Sequence, residues 1–417
     1  MSADRENRVA RIAIIGCGWW AQGWHIPHLL QNDGVVICAL VDKVKHPTSD
    51  LNPNLVSMDE LQEICNNCPV FESVEELLQS SAGHEMNGAL ICTPHSTHYL
   101  IAELLIQEGM KRIVAQAPLL HILLEKPMTT NVEEAQKLHD LVHSYWRTCS
   151  IARTNNEVAY FQLNHSANFR KQSQVAQDLI QNQNAIGDIC HIDASMASPL
   201  SWLFNHPKNT TWNVPTSGML GNGFAWGQAS HLLAWIYHIA GDQVVPEQVF
   251  CRMNHSKSSG ADLSHAATIV CKNNVTMSLS GTCLLPGNEH GNPPIGKEIS
   301  IEIYGSDGAL FYKGNDHDPT SGRLELRTGK KDETAIEGSV RVVCDEFHFE
   351  NTTQDGTGPE SLQSFLQACW GEQNYYQGAS SLVGLKSVQT LEAMYRSHHS
   401  GAVEKIVASR VLESASK

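Results

Sequence analysis

A glycine-containing loop near the start of the chain has the spacing of a dinucleotide-binding site. Within the 417 residues, Gly16-Cys17-Gly18-Trp19-Trp20-Ala21 forms a GxGxxA pattern directly after the aliphatic segment RIAIIG. The first glycine of such a pattern permits a tight turn, the second lets a pyrophosphate approach the backbone, and the small third residue lets helix and strand pack closely. The pattern predicts dinucleotide binding at the N-terminus of the following helix. A glycine turn in an unliganded α/β domain is the alternative.

A carboxylate after the next aliphatic segment indicates which dinucleotide the loop prefers. Asp42 ends the predicted strand within VVICALVDK, about 20 residues past the loop, where such a side chain binds a ribose 2′-hydroxyl. A carboxylate at this position would repel a 2′-phosphate, which favours NAD over NADP. The neighbouring Lys43 leaves NADP possible.

Polar residues follow two further predicted strands at comparable positions. The segment ICTPHSTHYL supplies Thr93, Pro94 and His98. The segment HILLEKPMTTN supplies Glu125, Lys126 and Pro127. Ligands of doubly wound sheets bind beyond the carboxyl ends of the strands, so we expect these residues to meet at the glycine loop.

The elements that must position these residues are predicted from hydrophobic periodicity. Strands alternate with helical patterns over residues 1–150, which predicts an α/β domain with a doubly wound parallel sheet. Residues 151–417 begin with a long helical pattern, NHSANFRKQSQVAQDLIQNQ, and then change character. Strand candidates from CHIDASMAS to ISIEIYG recur at hairpin-like spacing and predict a mostly antiparallel sheet. Two helical segments end the chain, and these can pack back on the first domain.

Motifs spread over nearly the whole chain resemble those of the glucose-fructose oxidoreductase and inositol dehydrogenase (Gfo/Idh/MocA) family of NAD(P)-dependent oxidoreductases. The resemblance is carried, in order, by GCGWWA, TPHSTH, EKP, SGMLGNGFAWGQASHLLAW, IEIYGSDGALFY and SVQTLEAMYRSHHSG. It implies an N-terminal Rossmann domain over 1–150, followed by an α+β domain over 151–417. The second domain would bind the substrate, and its large open sheet would form a homo-oligomer interface.

The resemblance also implies which residues do the chemistry. In the family the EKP lysine reaches toward the substrate hydroxyl and the nicotinamide, and a later helix supplies an Asp and, four residues on, a His. Lys126 and His231 match, whereas the Asp position is Gly227, with Gln228 the nearest polar side chain. Alcohol oxidation needs a base with a pKa near the working pH. We therefore expect His231 to be the base and Lys126 to polarise the substrate oxygen.

Tryptophans near the expected cleft suggest a carbohydrate-like substrate. Trp202, Trp212 and Trp226 lie in segments that should border it, and indole faces suit the C–H faces of a sugar or cyclitol ring, although core packing is the commoner role of a tryptophan. The predicted cofactor-binding residues are Gly16, Gly18, Trp19, Trp20, Ala21, Asp42, Thr93, Pro94, His98, Glu125 and Lys126. The predicted substrate-binding residues are Lys126, Trp212, Trp226, Gln228 and His231.

Composition excludes several other classes of protein. The formal net charge of −15 disfavours nucleic acid and anionic membrane as partners. Neither a secretory signal nor an apolar run of membrane-spanning length is found, so we expect a cytoplasmic protein. The single CxxC, Cys65 to Cys68, lacks a second pair of ligands, and we expect no metal.

Three functions are compatible with the sequence. The first is an NAD(P)-dependent dehydrogenase or reductase acting on a sugar, sugar derivative or cyclitol. The second is a glycosidase on the same fold that uses NAD for transient oxidation and elimination, without net cofactor reduction. The third is a catalytically impaired NAD-binding protein, which the missing Asp at Gly227 makes possible.

Overall fold

The first half of the chain forms a six-stranded parallel sheet. The computed structural model describes residues 9–49, 54–153, 158–216, 218–288, 292–315, 322–329, 338–344 and 356–406. The sheet order is β3-β2-β1-β4-β5-β6, and every neighbouring pair is parallel. Its strands are β1 (Ala10–Ile15), β2 (Val35–Val41), β3 (Val70–Phe71), β4 (Gly88–Ile91), β5 (His121–Leu124) and β6 (Phe161–Leu163). The order reverses beside β1, as the predicted doubly wound sheet requires.

Both faces of this sheet are covered, which explains the nearly unbroken aliphatic character of its strands. Successive residues of β1 enter different clusters: Ala13 and Ile15 belong to one hydrophobic core, and Ile12 and Ile14 belong to the other. The helices are α1 (Ile26–Leu30), α2 (Met58–Ile64), α3 (Val74–Gln79), α4 (Ser81–Glu85), α5 (His98–Val114), α6 (Val132–Ala152), α7 (Lys171–Gln177), α8 (Ser201–Phe204), α9 (Thr210–Asn213), α10 (Ser230–Ala240), α11 (Glu360–Cys369) and α12 (Ser381–Ser400). The late helix α11 packs on the Ile12 face through Phe365.

The second sheet has nine strands in the order β14-β13-β12-β11-β7-β10-β9-β8-β15. Among the described strands of this second sheet, only the pair β7 and β10 is parallel, so the prediction of a mostly antiparallel sheet is confirmed. The strands are β7 (Ile189–Ala197), β8 (Pro246–His255), β9 (Asp262–Cys271), β10 (Thr276–Thr282), β11 (Glu298–Gly305), β12 (Gly308–Asn315), β13 (Arg323–Gly329), β14 (Gly338–Cys344) and β15 (Glu404–Lys405). Alternate residues of β7 and β10 are buried, and the others are exposed. One face of the sheet therefore contributes to the core and the other is open.

The long helical pattern after β6 is broken in the structure. Asn164 and His165 are non-helical and buried, a 3₁₀ turn follows at Ser166–Phe169, and α7 begins only after the extended Arg170. The first two side chains bind residues of other segments, as described below, and these contacts hold the backbone out of a helix. Among the described helices, none is both long and apolar enough to cross a membrane.

Candidate active site

The glycine loop after β1 leaves an open backbone surface where phosphates are expected. Gly16 has φ +89°, and a Cβ on it would lie 2.7 Å from the backbone of Cys92 and Thr93. Gly18 is different, because a Cβ there would meet no heavy atom within 4 Å. The first glycine is therefore required by close packing against the loop after β4, and the second leaves room that fits a dinucleotide pyrophosphate.

Asp42 is held at the end of β2 by two backbone amides. Cys17 N donates to its Oδ2 at 2.8 Å, and Val44 N donates to its Oδ1 at 2.9 Å. The carboxylate is half-buried, and each oxygen retains a lone pair for a further donor. This geometry fits a ribose hydroxyl next to the glycine loop, whereas the adjacent Lys43 is exposed.

The tryptophans after the loop connect it to other segments. Trp20 is 44% exposed, donates its indole N–H to Glu125 Oε1 at 2.9 Å, and stacks on Trp24 with 5.3 Å between ring centroids. Trp19 meets the edge of Trp202 at 6.4 Å. The backbone then makes a π turn at Ala21–His25, a feature frequent at functional sites, and Ala21 is fully buried.

Glu125 is the centre of a buried hydrogen-bond network beneath this surface. Its Oε1 accepts from Trp20 Nε1, from Asn164 Nδ2 at 2.6 Å, and is 2.8 Å from His25 Nε2. Burial alone raises the pKa of Glu125, but the hydrogen bonds and charge of His25, together with Asn164, outweigh it and lower the pKa to about 2. The carboxylate is ionised and joins the loops after β1, β5 and β6.

His98 braces two loops from the start of α5. Its Nδ1 lies 2.7 Å from Pro127 O and its Nε2 lies 3.0 Å from Thr93 O. The residue is only 1% exposed, which leaves no surface for a cofactor. We therefore assign His98 a bracing role in place of the predicted cofactor contact. Thr93 is half-buried and Pro94 exposed at the same edge.

Lys126 extends from the end of β5 to the segment before α10. Its Nζ donates to Gly227 O at 2.8 Å and lies 4.4 Å from the ring centroid of Trp212. Burial lowers the pKa of Lys126 to about 8, although the charge of Glu125 opposes this shift. The ammonium is thus oriented by one carbonyl and one indole face, and its proton is more labile than that of a surface lysine.

Gly227, where the family resemblance implies an Asp, lies against an aromatic ring that leaves no space for a side chain. A Cβ at this position would lie 2.7 Å from Cζ and 3.0 Å from Cε1 of Phe204, so no larger side chain fits without movement. The residue belongs to the π turn Ala225–Ala229 that leads into α10, and its carbonyl is the acceptor for Lys126. Gln228, the next residue, is half-buried.

His231, in the first turn of α10, faces a second histidine that the sequence did not single out. Its Nδ1 is 3.3 Å from His165 Nδ1, and the two rings are nearly perpendicular at 87°. Burial lowers the pKa of both residues, that of His165 to about 3, and the charge of Lys126 acts in the same direction. Both imidazoles are therefore neutral at pH 7.

The structure separates the predicted aromatic residues into two groups. Trp212 is half-buried beside Lys126, with His95 at 5.1 Å between ring centroids. Trp226 is only 1% exposed and stacks on Tyr395 at 6.2 Å. The indole of Trp226 lies in the core, so it cannot wall a cleft, and we do not retain it as a substrate contact. Among the described residues, no group of three His, Cys, Asp or Glu side chains is placed to hold a metal ion.

Two models of known protein families match the chain and show to which family it belongs. Residues 10–152 match the NAD-binding Rossmann-fold model of the GFO/IDH/MocA oxidoreductase family, and residues 173–311 match the family's C-terminal domain model. The chain belongs to the Gfo/Idh/MocA oxidoreductase family. None of the curated proteins compared with the chain matches it.

Solved structures of similar fold include several oxidoreductases. An oxidoreductase domain protein from Kribbella flavida is 16% identical, with 96% of this chain and 100% of that chain covered and a TM-score of 0.66. A levoglucosan dehydrogenase in complex with NADH is 15% identical, with 96% and 100% covered and a TM-score of 0.65. The WlbA dehydrogenase from Bordetella pertussis, in complex with NADH and UDP-GlcNAcA, is 18% identical, with 96% and 99% covered and a TM-score of 0.61. At these identities the likeness shows the fold.

Sequence reasoning missed three members of the site: His25, Asn164 and His165. The last two follow β6, and the rule that already singled out the ends of β4 and β5 could have found them. His25 gave no comparable signal, because its role depends on meeting Glu125, a residue 100 positions away.

Proposed function

We propose that the protein is an NAD-dependent dehydrogenase that oxidises a secondary alcohol of a sugar, sugar derivative or cyclitol. The observation that carries this proposal is the bond from Lys126 Nζ to Gly227 O, four residues before His231. It ties the lysine at the edge of the first sheet to the segment that bears the candidate base. The glycine loop and Asp42 lie at the same edge.

The side chains divide the work of moving a proton and stabilising charge. NAD, when bound, takes up the hydrogen and two electrons that leave the carbinol carbon. His231 accepts the hydroxyl proton as general base. It is neutral at pH 7, although burial and the charge of Lys126 hold its pKa well below the value near the working pH that the sequence led us to expect. Lys126 donates a hydrogen bond to the substrate oxygen and stabilises the negative charge that develops there. Its pKa of about 8 keeps much of it cationic near neutrality.

The preference for NAD over NADP rests on Asp42. Two backbone amides already orient its carboxylate, and a ribose hydroxyl can donate to it, whereas a 2′-phosphate would be repelled. The dinucleotide-contacting set that we propose is Gly16, Gly18, Trp19, Trp20, Asp42, Thr93, Pro94, Glu125 and Lys126. Ala21 is fully buried, so it supports the loop by packing and makes no contact with the dinucleotide.

The substrate class rests on Trp212 and on what related structures bind. The half-buried indole beside Lys126 offers a flat face to the C–H groups of a sugar ring, with Gln228 nearby as a hydrogen-bonding group. The Bordetella pertussis relative binds UDP-GlcNAcA, and another relative is a levoglucosan dehydrogenase. On that basis we propose that this chain also acts on a carbohydrate-like substrate. We further propose that the protein is a cytoplasmic homo-oligomer.

The test is nicotinamide absorbance during incubation of the protein with a panel of sugars, sugar acids, cyclitols and aryl glycosides. Each compound is supplied with NAD and, in parallel, with NADP. We expect NADH to form with at least one alcohol and NADP to be used less well. Release of aglycone without net NADH would instead support the NAD-dependent glycosidase, and no turnover with any compound would contradict the dehydrogenase for that panel.

A further inference from the structure

We propose that His165 is a positioning residue that holds His231 in the tautomer able to accept the substrate proton. This inference rests on the proposed function, because the tautomer of His231 matters for catalysis only if His231 is the base. The tautomer itself is a property of the protein that can be measured without turnover. The inference is carried by the pairing of two ring nitrogens at the active site, where this chain has no carboxylate at position 227.

The geometry of the pair requires one shared hydrogen. The two Nδ1 atoms are 3.3 Å apart and the rings meet edge to face, with 5.1 Å between their centroids. A neutral imidazole carries a hydrogen on only one of its nitrogens. Two unprotonated nitrogens at this distance would direct lone pairs at each other, so one Nδ1 must donate and the other must accept.

The chemistry decides which histidine donates. Because Nδ1 of His231 is turned toward His165, its Nε2 is the nitrogen left to face the substrate. That Nε2 can take a proton only while it is unprotonated, so the hydrogen of neutral His231 must be on Nδ1. His165 then accepts through its own Nδ1 and carries its hydrogen on Nε2.

This arrangement also serves the step that follows. When the substrate is oxidised, the O–H proton passes to Nε2 of His231, the C–H hydrogen leaves with two electrons to NAD, and the carbon–oxygen bond becomes double. His231 is then a cation whose Nδ1–H already points at His165 Nδ1. The existing hydrogen bond becomes charge-assisted and strengthens, so His165 stabilises the protonated base without receiving its proton.

The fold holds His165 firmly in this position. It is 1% exposed, and its backbone N–H donates to Leu163 O at 2.8 Å directly after β6. Its neighbour Asn164 donates to Glu125, the residue before Lys126. Asn164 and His165, which directly follow β6, therefore hold Glu125 and His231 in place.

Cationic groups around the pair favour the neutral form of His231 before the reaction. Lys126, Lys297 and Arg170 act on His231 together with His165, and each of them favours the neutral imidazole. Lys126 and Glu125 act on His165 in opposite directions. A neutral partner fixes the tautomer of His231 and raises its pKa less than an anionic partner would.

The experiment reads the tautomer by ¹⁵N NMR of protein labelled at histidine side chains, with His231→Leu to assign the signals. We expect Nδ1–H and an unprotonated Nε2 for His231 in the wild type at pH 7. In His165→Asn the amide oxygen can still accept from Nδ1, so this tautomer should persist. In His165→Leu no acceptor remains, and a substantial Nε2–H population should appear. His238→Leu, which removes another buried histidine of α10, is the matched control and should leave His231 unchanged.

Kinetics with a substrate found in the panel give the second readout. We expect His165→Leu to lower kcat roughly a hundredfold, within the range of about 10²–10⁴ that a general base contributes, and to leave KM little changed. His165→Asn should recover most of kcat. If wild-type His231 carries its hydrogen on Nε2, or if its tautomer is the same in all variants, the proposal is overturned. The NMR result stands even when no panel compound is oxidised, so failure of the proposed function is recognised separately.

Discussion

At the scale of single residues, the most informative position is Gly227, where the family resemblance implies an Asp and this chain offers a backbone carbonyl. The carbonyl accepts from Lys126 at 2.8 Å, and the Phe204 ring fills the space that a side chain would need. Lys126 is therefore oriented by a carbonyl at a position where packing leaves no room for an Asp side chain.

Substitution of Gly227 by Ala should disturb both packing and Lys126. The new methyl group would lie 2.7 Å from Phe204 Cζ, and overpacking of this kind costs about 1–3 kcal/mol. We also expect kcat to fall roughly tenfold, because misplacing a catalytic group by even 1 Å reduces the rate strongly. Urea unfolding and steady-state kinetics measure the two effects.

Phe204→Leu supplies the control for this prediction. The smaller side chain should make room for the methyl group, so the double variant should be less destabilised than the sum of the two single changes. Strict additivity in the double-mutant cycle would show that the Phe204 contact is not the reason for glycine at this position.

At the scale of elements, the ends of β5 and β6 and the turn after β1 are joined through one carboxylate, Glu125. Its pKa is lowered to about 2, so the folded protein holds its proton less tightly than the unfolded chain, whose value is near 4.5. The resulting stabilisation is fully present above about pH 4.5 and is lost as the pH falls through about 2.

Replacement of Glu125 by Gln should remove the part of the pH dependence of stability that this carboxylate causes. The amide oxygen can still accept hydrogen bonds but carries no charge, and hydrogen bonds to charged groups contribute about 1.5–3 kcal/mol. We expect a loss of about 2 kcal/mol in the free energy of unfolding at pH 7, and a smaller difference from wild type at pH 3. Urea unfolding followed by tryptophan fluorescence at the two pH values checks this. A difference that does not shrink on acidification would contradict the role of the charge.

At the scale of the whole molecule, the open face of the second sheet has the character of a contact surface. Small side chains line it across neighbouring strands, because Ser195 of β7 pairs with Ser300 of β11 and with Ser280 of β10. A groove of about 670 Å³ lies over these residues. The small side chains at the centre of this groove let another copy of the chain approach closely, which supports the proposed homo-oligomer.

Light scattering coupled to size-exclusion chromatography tests this surface. We expect an oligomer for the wild type, and a shift toward the monomer for Ser195→Arg combined with Ser280→Arg, whose long charged side chains would separate two facing sheets. Lys313→Glu, at the rim of the groove, changes charge without filling the centre and should have a smaller effect. A wild-type protein that is monomeric at micromolar concentration would contradict the proposal.

The comparison of sequence and structure shows which features are locally determined. The strands of the first sheet and the turn at Gly16 were predicted because alternation of elements and the steric demands of glycine can be recognised in short segments. The role of His25 and the pairing of His165 with His231 depend on contacts between distant segments. The burial of Trp226 could not be predicted, because nearly every residue of the segment into α10 is buried and periodicity does not indicate which residues face the cleft.

The most direct test of the account is the rate of NADH formation by Lys126→Met with the best alcohol of the panel. Lys137→Met, an exposed lysine paired with Glu133 on α6, is the matched control. We predict that Lys126→Met loses at least a hundredfold in kcat, in line with the roughly 10²–10³ cost of removing a donor to a developing oxyanion, and still binds NADH, whereas Lys137→Met keeps wild-type activity. Wild-type turnover by Lys126→Met would contradict the central claim that this lysine acts on the substrate.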